Sequence, residues 1–178
     1  MIVYLLMIVF SGIFVYLAQR SFKKQHKLQG IIFSVIAILI PSIIAGCRSV
    51  NIGTDLKVYA SYMHYVSVNF SFSRLIEIFG SGDILYSLLT FIIGKVSPSF
   101  NFFLFVVQLI NCTLIYIAVY KNRKSSSMVV SYLIFLLALY FRQLNLMRQG
   151  IALSFVICSF AYFKNSEKII KTKYTTRR

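Results

Sequence analysis

Long apolar runs separated by short polar segments make up most of the sequence. Six such runs are present, at residues 2–18, 31–46, 84–94, 100–120, 126–141 and 146–163. A helix needs about 20 residues to cross the hydrocarbon core of a bilayer, and most of the runs approach or reach that length. The pattern therefore predicts an all-α fold, a polytopic membrane helix bundle that forms one domain over residues 1–163.

The run at 84–94 is too short for an ordinary crossing. We therefore predict five crossings plus one short helix that is either re-entrant or a sixth crossing. With the N-terminus outside and this helix re-entrant, thirteen basic residues face the cytoplasm and six lie outside, as the positive-inside rule requires. If all six runs cross the membrane and the N-terminus is outside, more basic residues lie outside than inside. If all six cross and the N-terminus is inside, the dense basic cluster at 20–27 lies outside.

The preferred topology makes residues 47–83 an extracytoplasmic loop and residues 164–178 a basic cytoplasmic tail. The loop contains three of the four acidic residues of the chain. Within it we predict one helix from Thr54 to about Val66, with Thr54 as its N-cap. A second short helix is predicted at 71–79. The same topology places the loop and the turn at 142–148 on one face of the membrane.

The composition excludes most other classes of protein. Hydrophobic residues make up 58% of the chain and charged residues 13%, which is incompatible with a soluble enzyme of this size. The net charge of +15 does not indicate a nucleic-acid partner, because the basic residues cluster between apolar runs. The three cysteines are far apart and there are two histidines, so we expect no disulfide framework and no metal site.

The first candidate site follows the second apolar run, from Arg48 to Tyr59. An arginine and the acid Asp55 at a bilayer surface suit an anionic lipid that carries a sugar, because the guanidinium donates two hydrogen bonds to phosphate at once. Gly53 allows close approach of the backbone. Alternatively, Gly53, Thr54 and Asp55 are only a turn and a helix start, and Arg48 is an interfacial anchor.

The second candidate site lies around the start of the last run. On one continuous helix, Arg142, Asn145 and Gln149 share a face. Arg148 precedes Gln149 by one position, so it lies beside this face. It is also close to the start of the last apolar run, where a charge is costly and usually functional. Here too the alternative is an interfacial anchor.

In these two elements the sequence resembles the EpsG family of bacterial exopolysaccharide proteins, which is related to Wzy-type polymerases. The first shared element is Arg-x(4)-Gly-Thr-Asp-x(3)-Tyr after the second membrane helix, here Arg48, Gly53, Thr54, Asp55 and Tyr59. The second is Asn-x(2)-Arg-Gln-x(2)-Ala at a later helix start, here Asn145, Arg148, Gln149 and Ala152. The resemblance covers about residues 1–170.

The resemblance implies a glycosyltransferase-type polymerase in the bacterial cytoplasmic (inner) membrane. It would join undecaprenyl-diphosphate-linked repeat units into capsular polysaccharide, exopolysaccharide or O-antigen at the outer face, without a cofactor or metal. Its partners would be the lipid-linked glycan, the lipid bilayer and other polysaccharide-assembly membrane proteins. Family members are longer and continue into further membrane helices, so we expect this chain to correspond to their N-terminal half.

Under that resemblance, three residues are expected to be catalytic: Arg48, Asp55 and Arg148. The two arginines would hold the diphosphate charge, and Asp55 would orient or deprotonate the acceptor hydroxyl or position Arg48. Six further residues are expected to bind substrate: Gly53, Thr54, Tyr59, Arg142, Asn145 and Gln149. The alternatives are a non-catalytic membrane component that binds or exports lipid-linked glycan, and an inactive remnant.

Overall fold

The computed structural model describes residues 2–49, 56, 60–80 and 82–175, with side chains as far as residue 164. The described residues form helices and connecting turns, without strands. The helices are α1 Ile2–Lys23, α2 Lys27–Gly46, α3 Ser61–Asn69, α4 Phe72–Phe79, α5 Ile84–Val96, α6 Phe100–Lys121, α7 Met128–Ile134, α8 Tyr140–Asn145 and α9 Met147–Thr175.

Four helical segments are long and apolar enough to cross a membrane, namely α1, α2, α6 and the stretch Met128–Asn145. Helix α9 carries the last apolar run and lies beside α6: Ser154 bonds to Asn111, and Lys121 lies over the ring of Tyr162. The predicted all-α, polytopic membrane bundle is confirmed. Helix α5 has 13 residues, or about 20 Å, which falls short of the ~30 Å hydrocarbon core and favours the re-entrant alternative.

Neighbouring helices satisfy the backbone around the proline inside α2. Pro41 has no N–H for the carbonyl of Ala37, four residues earlier. The hydroxyl of Ser11 in α1 donates to that carbonyl at 2.8 Å. The hydroxyl of Tyr140 donates to the carbonyl of Pro41, also at 2.8 Å. The proline is thereby accommodated in an apolar environment, where unpaired backbone groups are costly.

The stretch Met128–Asn145 is not a regular α-helix. Residues Phe135–Leu139 form a π-helical segment between α7 and α8. The helix then ends at Asn145, because Leu146 adopts φ −100° and ψ 64°, and α9 begins at the next residue. A break therefore lies within the turn predicted at 142–148, and the one helix on which Arg142, Asn145 and Gln149 would share a face is not formed.

Basic segments from two parts of the chain meet at one end of the bundle. The rings of Phe22 and Tyr120 are 4.9 Å apart, so the end of α1 lies beside the end of α6. The side-chain oxygen of Gln19 accepts hydrogen bonds from the first backbone N–H groups of α7. We call this the basic end, and the opposite end, which carries Arg48 and Arg148, the arginine end.

The short helices α3, α4 and α5 lie at the arginine end. Helix α4 begins after Ser71, whose hydroxyl accepts from the N–H of Arg74 at 3.4 Å, so the short helix predicted at 71–79 is confirmed. Helix α3 extends to Asn69, past the predicted end at Val66; the predicted N-cap Thr54 lies outside the described residues. The Nζ of Lys95 in α5 donates to the carbonyls of Val68 and Phe70, which fixes the end of α3.

Candidate functional site

The two candidate elements of the sequence meet at the arginine end. Arg48 follows α2, and its Nη2 donates to the carbonyl of Leu144 in the last turn of α8 at 3.1 Å. The α2 backbone can approach α6 closely here, because a Cβ on Gly46 would lie 2.9 Å from Cβ of Phe105. The start of the predicted loop at 47–83 and the predicted turn at 142–148 are therefore in direct contact.

Arg48 is buried, with 6% of its surface exposed. Its Nε has no hydrogen-bond partner, and no carboxylate pairs with it within the described part of the chain. Burial lowers the pKa of Arg48, and the neighbouring phenols of Tyr4 and Tyr140 oppose that effect. A guanidinium has five N–H donors, so Arg48 combines a buried charge with unused hydrogen-bonding capacity.

Arg148 lies in a different environment, at the mouth of a cavity of about 190 Å³. Its Nη1 forms an ion pair with Oδ2 of Asp83, which precedes α5. The two side chains are 43% and 40% exposed. We call this space the first cavity; its lining residues are Ala60, Tyr86, Asn145, Leu146, Met147, Arg148 and Gln149.

A second cavity, of about 180 Å³, lies on the other side of the break between α8 and α9. Arg142, Gln143 and Gln149 supply its polar lining. Gln149 and Leu146 line both cavities. The break at Leu146 thus divides the predicted polar face, with Asn145 on one side, Arg142 on the other and Gln149 between them.

Gln143 connects the second cavity to the interior of the bundle. Its Nε2 donates to the hydroxyl of Ser154 at 3.0 Å, and that hydroxyl lies 3.2 Å from Oδ1 of Asn111. The Oε1 of Gln143 is buried and has no partner in the described part of the chain. Close packing of α8 on α9 depends on Gly150, since a Cβ there would lie 3.0 Å from Cγ of Gln143.

The structure brings together part of the predicted site. Arg148, Asn145 and Gln149 line one cavity, and Arg142 lines the next. Arg48 lies behind the α8 wall and does not line either cavity. The other predicted residues, Gly53, Thr54, Asp55 and Tyr59, lie outside the described residues. The catalytic and binding roles of all these residues stay predictions.

Sequence reasoning missed two residues of this region, Asp83 and Gln143. Asp83 is one of only four acids in a strongly basic chain, which is the signal that it has a cationic partner. Gln143 is a polar residue next to Arg142 within an apolar stretch, and its burial required the tertiary structure.

The chemistry of these cavities suits an anion that also carries polar groups. Guanidinium and amide side chains make up most of the polar lining of the two cavities. The forked guanidinium binds phosphate oxygens in pairs. The described part of the chain has no group of three or more histidine, cysteine or acidic side chains placed to hold a metal ion.

Comparison with known proteins gives one match. A family model described as the EpsG family matches residues 31–175, most of the chain. No curated protein and no solved structure matches it.

Proposed function

The chain belongs to the EpsG family, and from that premise we propose that it is a polysaccharide polymerase, or a part of one. Its reaction joins undecaprenyl-diphosphate-linked oligosaccharide units into capsular polysaccharide, exopolysaccharide or O-antigen. The observation that carries the proposal is the first cavity, where Arg148, Asn145 and Gln149 converge next to a buried Arg48.

In the proposed reaction, a hydroxyl of one lipid-linked unit attacks the anomeric carbon of another. The bond from that carbon to the diphosphate oxygen breaks, and its electron pair stays on the lipid diphosphate. Arg148 stabilises this developing charge, as oriented donors do at other anionic leaving groups. Asp55 is proposed to take the proton of the attacking hydroxyl.

An apolar groove next to Arg148 supports a lipid substrate. The groove has a volume of about 660 Å³ and lies between α5 and α9. Arg148 and Asp83 form its polar end, and the remaining lining includes Leu85, Leu89, Ile110, Ile151 and Phe155. This arrangement suits a molecule with an anionic head and a hydrocarbon chain, such as a polyprenyl diphosphate.

The distribution of charge supports a site at the outer face. The basic clusters at 20–27 and 121–124 lie at the end opposite the cavities. Basic segments next to membrane helices remain preferentially in the cytoplasm. The cavities are therefore proposed to open on the outside of the bacterial inner membrane, where the lipid-linked units would meet.

One observation favours the alternative, a component that binds or exports lipid-linked glycan without chemistry. Among the described residues that line the two cavities and the apolar groove, the one carboxylate is Asp83, which lines the groove and is held in an ion pair. In this ion pair, Oδ2 of Asp83 contacts Arg148 and is not available to an acceptor hydroxyl. Catalysis then depends on Asp55 or on a group outside this chain.

The test is reconstitution of the whole chain in lipid nanodiscs. Bare undecaprenyl diphosphate is used to measure binding, and the lipid-linked repeat unit of a host with an EpsG-family polymerase is used to measure chain growth. Binding with longer glycan products supports the polymerase. Binding without longer products supports the alternative, and no binding of either lipid contradicts both.

A further inference from the structure

A third cavity lies between α3 and the start of α6. Its volume is about 460 Å³, within the range of small-molecule sites, about 300–1,000 Å³. Its lining combines hydrogen-bonding groups with aromatic rings. The lining residues are Ser61, His64, Tyr65, Val68, Asn69, Pro98 and Phe100.

His64 is the most unusual residue of this cavity. It is 4% exposed, and its Nε2 has no hydrogen-bond partner among the described residues. Its ring packs against both Phe100 and Phe103, with centroid distances of 5.6 and 5.3 Å. Burial lowers the pKa of His64, and a backbone hydrogen bond with Ser97 opposes this. A buried polar atom without a partner is rare and needs an explanation.

A hydroxyl-bearing ligand explains the unpaired nitrogen. A hydroxyl both donates and accepts, so it can bond to Nε2 in either neutral tautomer of the imidazole. The adjacent rings of Tyr65 and Phe100 offer apolar faces, and a sugar ring has both hydroxyl edges and an apolar C–H face. The Nζ of Lys95 holds the carbonyl of Val68 at 3.1 Å, which fixes the last turn of α3 beside the cavity.

The position of the cavity relates it to the arginines. Ala60 lines the first cavity and His64 lines the third. The two residues are four positions apart at the start of α3, or about 6 Å along a helix. Residues at this spacing share a face of a helix, so a sugar attached to a diphosphate at Arg148 would extend along this face of α3 toward His64.

We propose that the third cavity is a saccharide subsite, in which His64 bonds to a hydroxyl and Tyr65 lies against the sugar ring of the lipid-linked glycan. This inference rests on the proposed function, because it assigns the sugar of the same substrate. It extends the recognition surface from the diphosphate at the break between α8 and α9 to a second region, on α3.

The test compares two probes on the full chain in nanodiscs, bare undecaprenyl diphosphate and undecaprenyl-diphosphate-linked N-acetylglucosamine. The sugar-bearing lipid should bind about two- to tenfold more tightly, the factor typical of one hydrogen bond. Tyr65→Ala should reduce that difference, because it removes the ring that lies against the sugar, without changing the affinity for the bare lipid. Tyr62→Ala is the control, because Tyr62 lies on the same helix, is 50% exposed where Tyr65 is 57% exposed, and does not line the cavity.

A second measurement uses unmodified protein, so it does not depend on the folding of a variant. The chain has two histidines, His64 and the exposed His26 near the basic end. In histidine-labelled protein, the sugar-bearing lipid should shift the imidazole NMR signals of His64 and leave those of His26 unchanged.

The outcomes separate this inference from the proposed function. Equal affinities for the two lipids, with no shift at His64, would overturn the saccharide subsite and leave the diphosphate site intact. Failure of both lipids to bind would overturn the proposed function and the subsite together.

Discussion

Arg48 and Arg148 lie at the same end of the bundle, in opposite environments. Arg48 is buried and donates to the carbonyl of Leu144, which belongs to the wall behind the cavities. Arg148 is half-exposed at the mouth of the first cavity, where the carboxylate of Asp83 neutralises part of its charge. The two arginines at this end of the bundle therefore differ in what they contact and in how much of each side chain is exposed.

The difference leads to separate expectations for activity and stability. A half-exposed ion pair contributes little to folding, typically about 0–1 kcal/mol. An anion can therefore replace Asp83 as the partner of Arg148 at little cost in stability. A buried guanidinium that satisfies a carbonyl is costly to remove, because its partner is left unpaired in a dry environment. We therefore propose that Arg148 contacts the diphosphate and that Arg48 positions the last turn of α8.

The largest expected effect is on activity at Arg148. Arg148→Ala and Arg148→Lys should each lower polymer formation in a host with an EpsG-family polymerase by roughly a hundredfold or more, because one oriented donor at a developing charge contributes about 2.7–4 kcal/mol. Glycan gels and blots measure polymer and protein abundance. Arg74→Lys is the control, since Arg74 also forms an exposed ion pair, with Glu77. A loss of only a few-fold for Arg148→Lys would favour the interfacial anchor.

The next effect is on stability at Arg48. Arg48→Ala should lower the free energy of unfolding by about 1–3 kcal/mol, the cost of a buried group left unpaired, whereas Arg148→Ala should lower it by about 1 kcal/mol or less. Unfolding in mixed detergent micelles measures both. Arg48→Lys, which can still donate to the carbonyl of Leu144, should recover stability and polymer together. Normal stability with no polymer for Arg48→Ala would instead place Arg48 in direct contact with substrate.

A third prediction concerns the backbone that carries Arg48. Gly46→Ala would place a Cβ 2.9 Å from Cβ of Phe105 and 3.2 Å from the carbonyl oxygen of Asn101. Because such overpacking typically costs about 1–3 kcal/mol, α2 should separate from α6 and the variant should unfold more easily. Gly82→Ala is the matched control, since a Cβ at Gly82 meets nothing within 4 Å. Equal stability of the two variants would show that Arg48 is not fixed by this contact.

The smallest effect is expected at Asp83. Asp83→Asn removes the carboxylate that competes with a diphosphate for Arg148. Binding of undecaprenyl diphosphate should become up to about fivefold tighter, since an exposed ion pair of this kind contributes about 0.2–1 kcal/mol. Titration of the lipid into protein nanodiscs measures the change. Weaker binding would mean that Asp83 orients Arg148 for the ligand and does not compete with it.

The sequence predicted the fold class, because apolar runs are local signals, and it predicted the short helix α4. It predicted a turn at 142–148, but it did not predict that the break would fall at Leu146, because Arg142 to Gln149 contains no glycine or proline. The sequence of the π-helical segment Phe135–Leu139 does not distinguish it from an ordinary α-helix either.

By itself, the sequence determined a membrane bundle with basic segments at one end and two arginine-containing elements at the other. Apolar runs must be buried in lipid wherever they occur, and clustered charges must remain outside it, so neither property needs long-range contacts. Only the tertiary structure decided that Arg148 faces Asp83, 65 positions away, and that Arg48 holds a carbonyl 96 positions away. Contacts at such separations depend on how the helices pack, and packing is set by side-chain shape and close approach at residues such as Gly46 and Gly150.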